Sequence, residues 1–125
     1  MIYLDTHIVV WLYAGKVDIL PEKTIRLINK QDLFISPMVR LELKYLNEIK
    51  RITVDSNTIV SELSDLIGLR ICEKDFSTII NHALKITWTR DPFDRIIVAN
   101  AAINNDILLT KDQSILDNYQ KGFWA

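Results

Sequence analysis

Ile2-Tyr3-Leu4-Asp5 is the stretch on which the fold turns. Three apolar residues followed by a carboxylate read as a short buried strand that ends in an acid. A helical pattern follows at once, from His7 to Ala14, and Gly15 stops it. The same strand-then-helix unit recurs along the chain. Leu33-Phe34-Ile35 reads as a strand. Ser36-Pro37 then supplies a cap and a first-turn proline for a long helix from Met38 to about Lys50. Leu69 to Cys72 is a third strand, Ile107-Leu108-Leu109 a fourth, and Phe123-Trp124 adds a last one. The helices between them are opened by Pro21, by Ser56, by Asp75, by Asp91-Pro92 and by Lys111-Asp112. Strands alternating with helices predict an α/β fold with a central, mostly parallel sheet of four to five strands, covered on both faces.

A chain of 125 residues suits one domain spanning residues 1–125. Apolar residues at 49% and charged residues at 25% exclude a disordered tail. The net charge of −1 gives no bulk attraction to nucleic acid, so any phosphate binding rests on local cations or bound metal. The single cysteine, Cys72, cannot form an internal disulfide and reads as a small buried hydrophobe. The first residues lack the basic start of a signal peptide, and Ile8 to Ala14 is too short to cross a bilayer. A soluble, cytoplasmic protein is expected.

Four acids stand where acids are costly or strategic. Asp5 and Asp112 follow strands, where ligands of open α/β sheets bind. Glu42 shares a helix face with Met38, Val39, Tyr45, Leu46 and Ile49, near the middle of an apolar stripe. Asp94 shares its face with Ile97, Val98 and Ala101. Each has a plain structural role open to it. Asp5 and Asp112 suit helix caps, Glu42 suits a buried ion pair, and Asp94 suits a helix dipole. Asp91, before Pro92, is read mainly as a cap that can also support the site from a second layer. If the four acids converge, they cannot all stay ionised without a cation. All-oxygen donors select Mg²⁺ or Mn²⁺, whereas two histidines and one cysteine without ligand spacing suit zinc poorly. A carboxylate-held hard ion activates water and stabilises charge on a phosphodiester.

The segments Tyr3-Leu4-Asp5-Thr6-His7, Ser36-Pro37 with Glu42-Leu43, Arg90-Asp91-Pro92-Phe93-Asp94-Arg95 and Leu109-Thr110-Lys111-Asp112 resemble, in order and spread, the four blocks of a PIN domain. The third block resembles a VapC-like branch, the toxin halves of toxin–antitoxin pairs. The resemblance implies a three-layer α/β/α fold and Mg²⁺- or Mn²⁺-dependent cleavage of RNA. It implies that Asp5, Glu42, Asp94 and Asp112 are both the catalytic and the metal-binding set, with Thr6 in support. A homodimer and a small inhibiting antitoxin are the partners it implies. Asn100 departs from the Gln often found there.

Arg95 and Lys111 adjoin quartet acids and are candidates for phosphate contacts. Arg40, Lys44 and Arg51 fall opposite Glu42 and read as solvated surface. Trp11, Tyr45, Trp88 and Trp124 read as core or dimer-interface residues, with base stacking as the other use. His7 reads as structural. Two other functions compete. A phospho-accepting receiver module needs an acceptor Asp ending a middle strand, but Leu33 to Ile35 ends in Ser36 and Leu69 to Cys72 ends in Glu73. A non-catalytic RNA- or protein-binding module of the same fold fits the chain, but not the intact quartet.

Overall fold

The computed structural model describes all 125 residues. Five strands form one parallel sheet: β1 (Ile2–Leu4), β2 (Leu33–Ile35), β3 (Arg70–Ile71), β4 (Ile107–Leu109) and β5 (Gly122–Phe123). Their order is β3-β2-β1-β4-β5, and every pairing is parallel. Seven α-helices connect them: α1 (Thr6–Tyr13), α2 (Glu22–Lys30), α3 (Pro37–Glu48), α4 (Ser56–Ile67), α5 (Phe76–Ala83), α6 (Pro92–Ala102) and α7 (Gln113–Asn118). A single 3₁₀ turn covers Val17–Ile19.

The expected α/β sheet is therefore present, and it is parallel throughout. Successive side chains of a strand point to opposite faces. Ile2, Tyr3 and Leu4 are nevertheless all buried, so helices cover both faces of β1. Val39 and Leu43 from α3 join Ile59 and Leu63 from α4 in the same core as Leu108 and Leu109. Leu109 is fully buried on β4, beside the central strand β1. Leu109→Ala is expected to cost about 2–5 kcal/mol, read as a lower urea midpoint at unchanged slope.

Local signals set most helix ends. Asp91 accepts from the Phe93 amide at 2.8 Å, with Pro92 at the first helical position. Gly15 follows α1 at φ +71°, a left-handed conformation in which a Cβ is strained. Several boundaries differ from the sequence reading: β3 is shorter than Leu69 to Cys72, and β5 lies one residue before Phe123-Trp124. Asp55 caps α4, accepting from the Thr58 amide, while the Ser56 hydroxyl turns to the Arg40 carbonyl at 2.8 Å. The third helix stops at Glu48 and Lys50 takes φ +62°, so Arg51 lies beyond the helix it was expected to share with Arg40 and Lys44. No helix is long and apolar enough to cross a membrane.

Cys72 is buried as expected, but not among apolar atoms alone. Its Sγ accepts from the Tyr3 hydroxyl at 3.3 Å and from Asn100 Nδ2 at 3.2 Å. Asn100, fully buried on α6, thus has its own partner in this chain.

Candidate active site

In this strand order the chain builds from β1 towards β3, then returns to place β4 on the other side of β1. The crevice beyond the carboxyl ends of β1 and β4 is the switch point where open α/β sheets bind ligands. Asp5 and Asp112 both emerge there. The Asp5 amide donates to the Leu109 carbonyl at 2.9 Å, tying the two strand ends together. Thr110 joins the acids themselves. Its hydroxyl donates to Asp5 Oδ2 at 2.7 Å and accepts from the Asp112 amide at 3.0 Å. Asp5 Oδ1 accepts from the Thr6 amide at 2.8 Å. Asp112 Oδ1 caps α7 through the Ser114 and Ile115 amides, at 2.8 and 3.3 Å. The capping roles open to Asp5 and Asp112 are real, and each carboxylate performs one while facing the crevice.

Glu42 arrives from α3 and Asp94 from the first turn of α6, helices that pack together. The Thr6 hydroxyl donates to Glu42 Oε1, which fixes that carboxyl beside α1. The Glu42 environment differs from the one expected. Val39 and Leu43 are buried, but Tyr45 and Ile49 are exposed. Glu42 therefore borders the apolar stripe instead of occupying its middle, which leaves its oxygens access to solvent.

Electrostatics connects the four segments. Burial pushes the Asp94 carboxyl up to about 7, helped by the negative charges of Asp91, Asp5, Asp112 and Glu42. Asp5 is raised by burial despite its bonds from Thr110 and Thr6, and the charge of Asp112 adds to the rise. Glu42 is raised by burial, against the Thr6 bond, with Asp5 and Asp91 adding to it. The chain's two ion pairs, Arg26–Glu22 and Lys74–Asp106, involve none of these acids. The quartet is thus a set of mutually repelling carboxylates outside any ion pair, with His7 alone opposing the rise at Asp5 and Glu42 by its charge.

Such a donor set suits a hard cation in chemistry. Yet no three His, Cys, Asp or Glu side chains stand close enough to hold one ion by themselves. The two observations agree for an ion that keeps much of its water, as Mg²⁺ does when one or two carboxylates bind it. Asp5 and Asp112 line a hollow of about 300 Å³ together with His7, Trp11 and Lys111. The larger hollow, about 700 Å³ between β3 and α4, holds none of the four acids. Mutual repulsion, not cavity size, marks the site.

The supporting residues divide in two. Thr6 and Asp91 act on the quartet, one by a hydrogen bond and the other by charge. Arg95 spends its Nε on the Thr89 carbonyl at 2.8 Å, which pins the loop before α6. Lys111 is exposed, its Nζ 5.8 Å from the ring centres of both Trp11 and Trp124. Sequence reasoning gave Thr110 no role. Its signal was a hydroxyl between a strand and an acid, and only the sheet pairing shows which acid it reaches. Thr110→Val is expected to lower metal affinity about 10- to 100-fold by titration, and to cost about 1–3 kcal/mol of stability.

The PIN domain family model matches residues 2–121. No curated protein matches the chain. Among solved structures, VapBC2 from Rickettsia felis, bound to a DNA fragment from their promoter, is similar at a TM-score of 0.63. The identity is 16%, covering 98% of this chain and 99% of that one. VapBC-1 from nontypeable Haemophilus influenzae is similar at a TM-score of 0.59 and 22% identity, covering 94% of each chain. At these identities the likeness is one of fold.

Proposed function

The chain belongs to the PIN-domain family, and from that premise we propose that it is a divalent-metal-dependent endoribonuclease. In this reading residues 1–125 work as one domain, and the reaction is hydrolysis of phosphodiester bonds in RNA. The observation that carries the reading is Asp94: a carboxyl raised to about 7 by burial and by four other acids, none of which is held in an ion pair.

Asp5, Glu42, Asp94 and Asp112 would hold Mg²⁺ or Mn²⁺. A cation so held supplies an activated water and offsets charge on the phosphodiester. The protein's share is positioning. Thr110 sets Asp5 and Asp112 relative to each other, and Thr6 orients Glu42. Asp94, its carboxyl raised to about 7, would give up its proton where a cation were held. Lys111, exposed at the rim, is proposed to meet a substrate phosphate, as is the remaining fork of Arg95. The fold likeness to VapBC components supports a toxin role with a small antitoxin as partner; a cytoplasmic location and a homodimer as working form belong to the same proposal.

The test is direct. Single-stranded or structured RNA incubated with the protein is expected to be cut with Mg²⁺ or Mn²⁺ and left whole with EDTA. Cleavage that persists in EDTA overturns the reading. The other reading is a non-catalytic RNA- or protein-binding module of the same fold. Calorimetric titration separates the two, since a module that only binds RNA or protein need not take up Mg²⁺.

A further inference from the structure

The hollow that holds Asp5 and Asp112 is lined by polar or charged side chains on every wall but one, and that wall is Trp11. It belongs to an aromatic corner. Trp11 and Trp124 lie 5.8 Å apart between ring centres and tilted by 56°, which anchors the second indole against α1. The Thr24 amide donates to the Ala125 carbonyl at 2.8 Å, so the segment carrying Trp124 is fastened to α2. On the other side, the exposed ring of His7 lies 6.1 Å from Trp11 at an angle of 49°. Lys111 Nζ sits between the indoles, 5.8 Å from each, and Lys111 also lines the hollow.

Packing alone explains Trp124, which secures the end of the chain. It does not explain why an aromatic face opens onto a pocket of acids. A metal with its waters has no use for an indole. A nucleotide does, since it carries an anionic phosphate and a flat apolar base a few ångströms apart. Cations interleaved with aromatic rings are the usual platform for unpaired bases, because every base has a π face to stack.

Resting on the nuclease reading, we propose that His7, Trp11 and Lys111 form a nucleobase subsite beside the scissile phosphate. Lys111 contacts a phosphate while the neighbouring unpaired base stacks on the Trp11–His7 wall, with Trp124 bracing Trp11 from behind. The substrate is then single-stranded at the cleavage point, because a base held in a duplex cannot reach that wall. Stacking reads a flat face and not a hydrogen-bond pattern, so the subsite selects an unpaired base over a paired one and favours no single base strongly.

The experiment is a coupling measurement under single-turnover conditions with Mg²⁺. A labelled single-stranded RNA is compared with versions carrying one abasic nucleotide at each position around the cleaved bond. With wild-type protein, one abasic position next to that bond is expected to raise the half-saturating protein concentration about tenfold. Trp11→Ala should show the same loss on intact RNA and almost no further loss on that abasic RNA. Trp11→Phe, which keeps a flat ring and most of the packing, should retain near wild-type behaviour, whereas Trp11→Leu should not. His7→Ala, at an exposed position, tests the second wall without disturbing the core. Losses that multiply independently, or an abasic series without a sensitive position, overturn the subsite and leave the nuclease reading standing. If wild-type protein cuts nothing, the nuclease reading fails first. The uncut RNAs then report by fluorescence anisotropy whether Trp11→Ala and the abasic site share one loss. Absence of that shared loss, or of RNA binding altogether, overturns the subsite as well.

Discussion

Asp94→Asn is expected to leave a protein that folds better without metal and no longer cuts RNA. Four other acids act on Asp94, and burial is the largest cause of its rise to about 7, ahead of Asp91, Asp5, Asp112 and Glu42. The sign of the stability effect follows. The folded carboxyl has a higher pKa than the unfolded one, so ionisation opposes folding. That opposition is absent well below pH 4, grows between about pH 4 and 7, and is complete above 7. The raised Asp5 and Glu42 act in the same direction. Removing the Asp94 charge should therefore stabilise the metal-free protein by about 1 kcal/mol at pH 8, a figure reduced for the partly exposed side chain. Urea midpoints at pH 5 and pH 8 measure it, and the variant should show less loss between them. Activity moves the other way. An amide cannot replace the carboxylate charge, and a fall of at least about 100-fold in single-turnover rate is expected. Undiminished cleavage by the folded variant would remove Asp94 from the catalytic set.

Mg²⁺ should raise the stability of the wild-type protein by about 2.7 kcal/mol at one hundred times its dissociation constant, and chelation should reverse the gain. If the cation engages Asp94, that carboxyl must be ionised, and affinity is expected to fall about tenfold per pH unit below pH 7. Calorimetry at pH 6 and pH 8, in buffers of different ionisation enthalpy, reads both the affinity and the proton released. Equal affinity at the two pH values, with no proton released, would show that the ion does not engage Asp94. A further contrast with Asp94→Asn separates the site from general charge screening. That variant should gain little from Mg²⁺, whereas Lys111→Ala, at the rim, should keep the metal response.

Much of this was legible in the residues. The runs Ile2–Leu4, Leu33–Ile35 and Ile107–Leu109 had to be strands because they are too short for buried helices and too apolar for turns. Asp91-Pro92 marked a helix start whatever lay around it. Acids after strands, and acids on apolar helix faces, selected the four carboxylates. Position along a helix could not decide how much of the Glu42 stripe is covered, because Tyr45 and Ile49 look the same in sequence whether a neighbour packs on them or not. Likewise Ser56 and Asp55 are both good caps, and the Arg40 carbonyl, sixteen residues away, decided which one turned inward.

The chain's local chemistry determined the elements and their parallel assembly and singled out the acids proposed for the site, since periodicity, caps and the cost of buried charge act within a few residues. Only the tertiary structure placed Thr110 between Asp5 and Asp112, brought four other acids to act on Asp94 and turned Trp11 towards the acids. Those facts depend on distances between groups up to about a hundred residues apart, and such distances are set by the packing of the sheet as a whole.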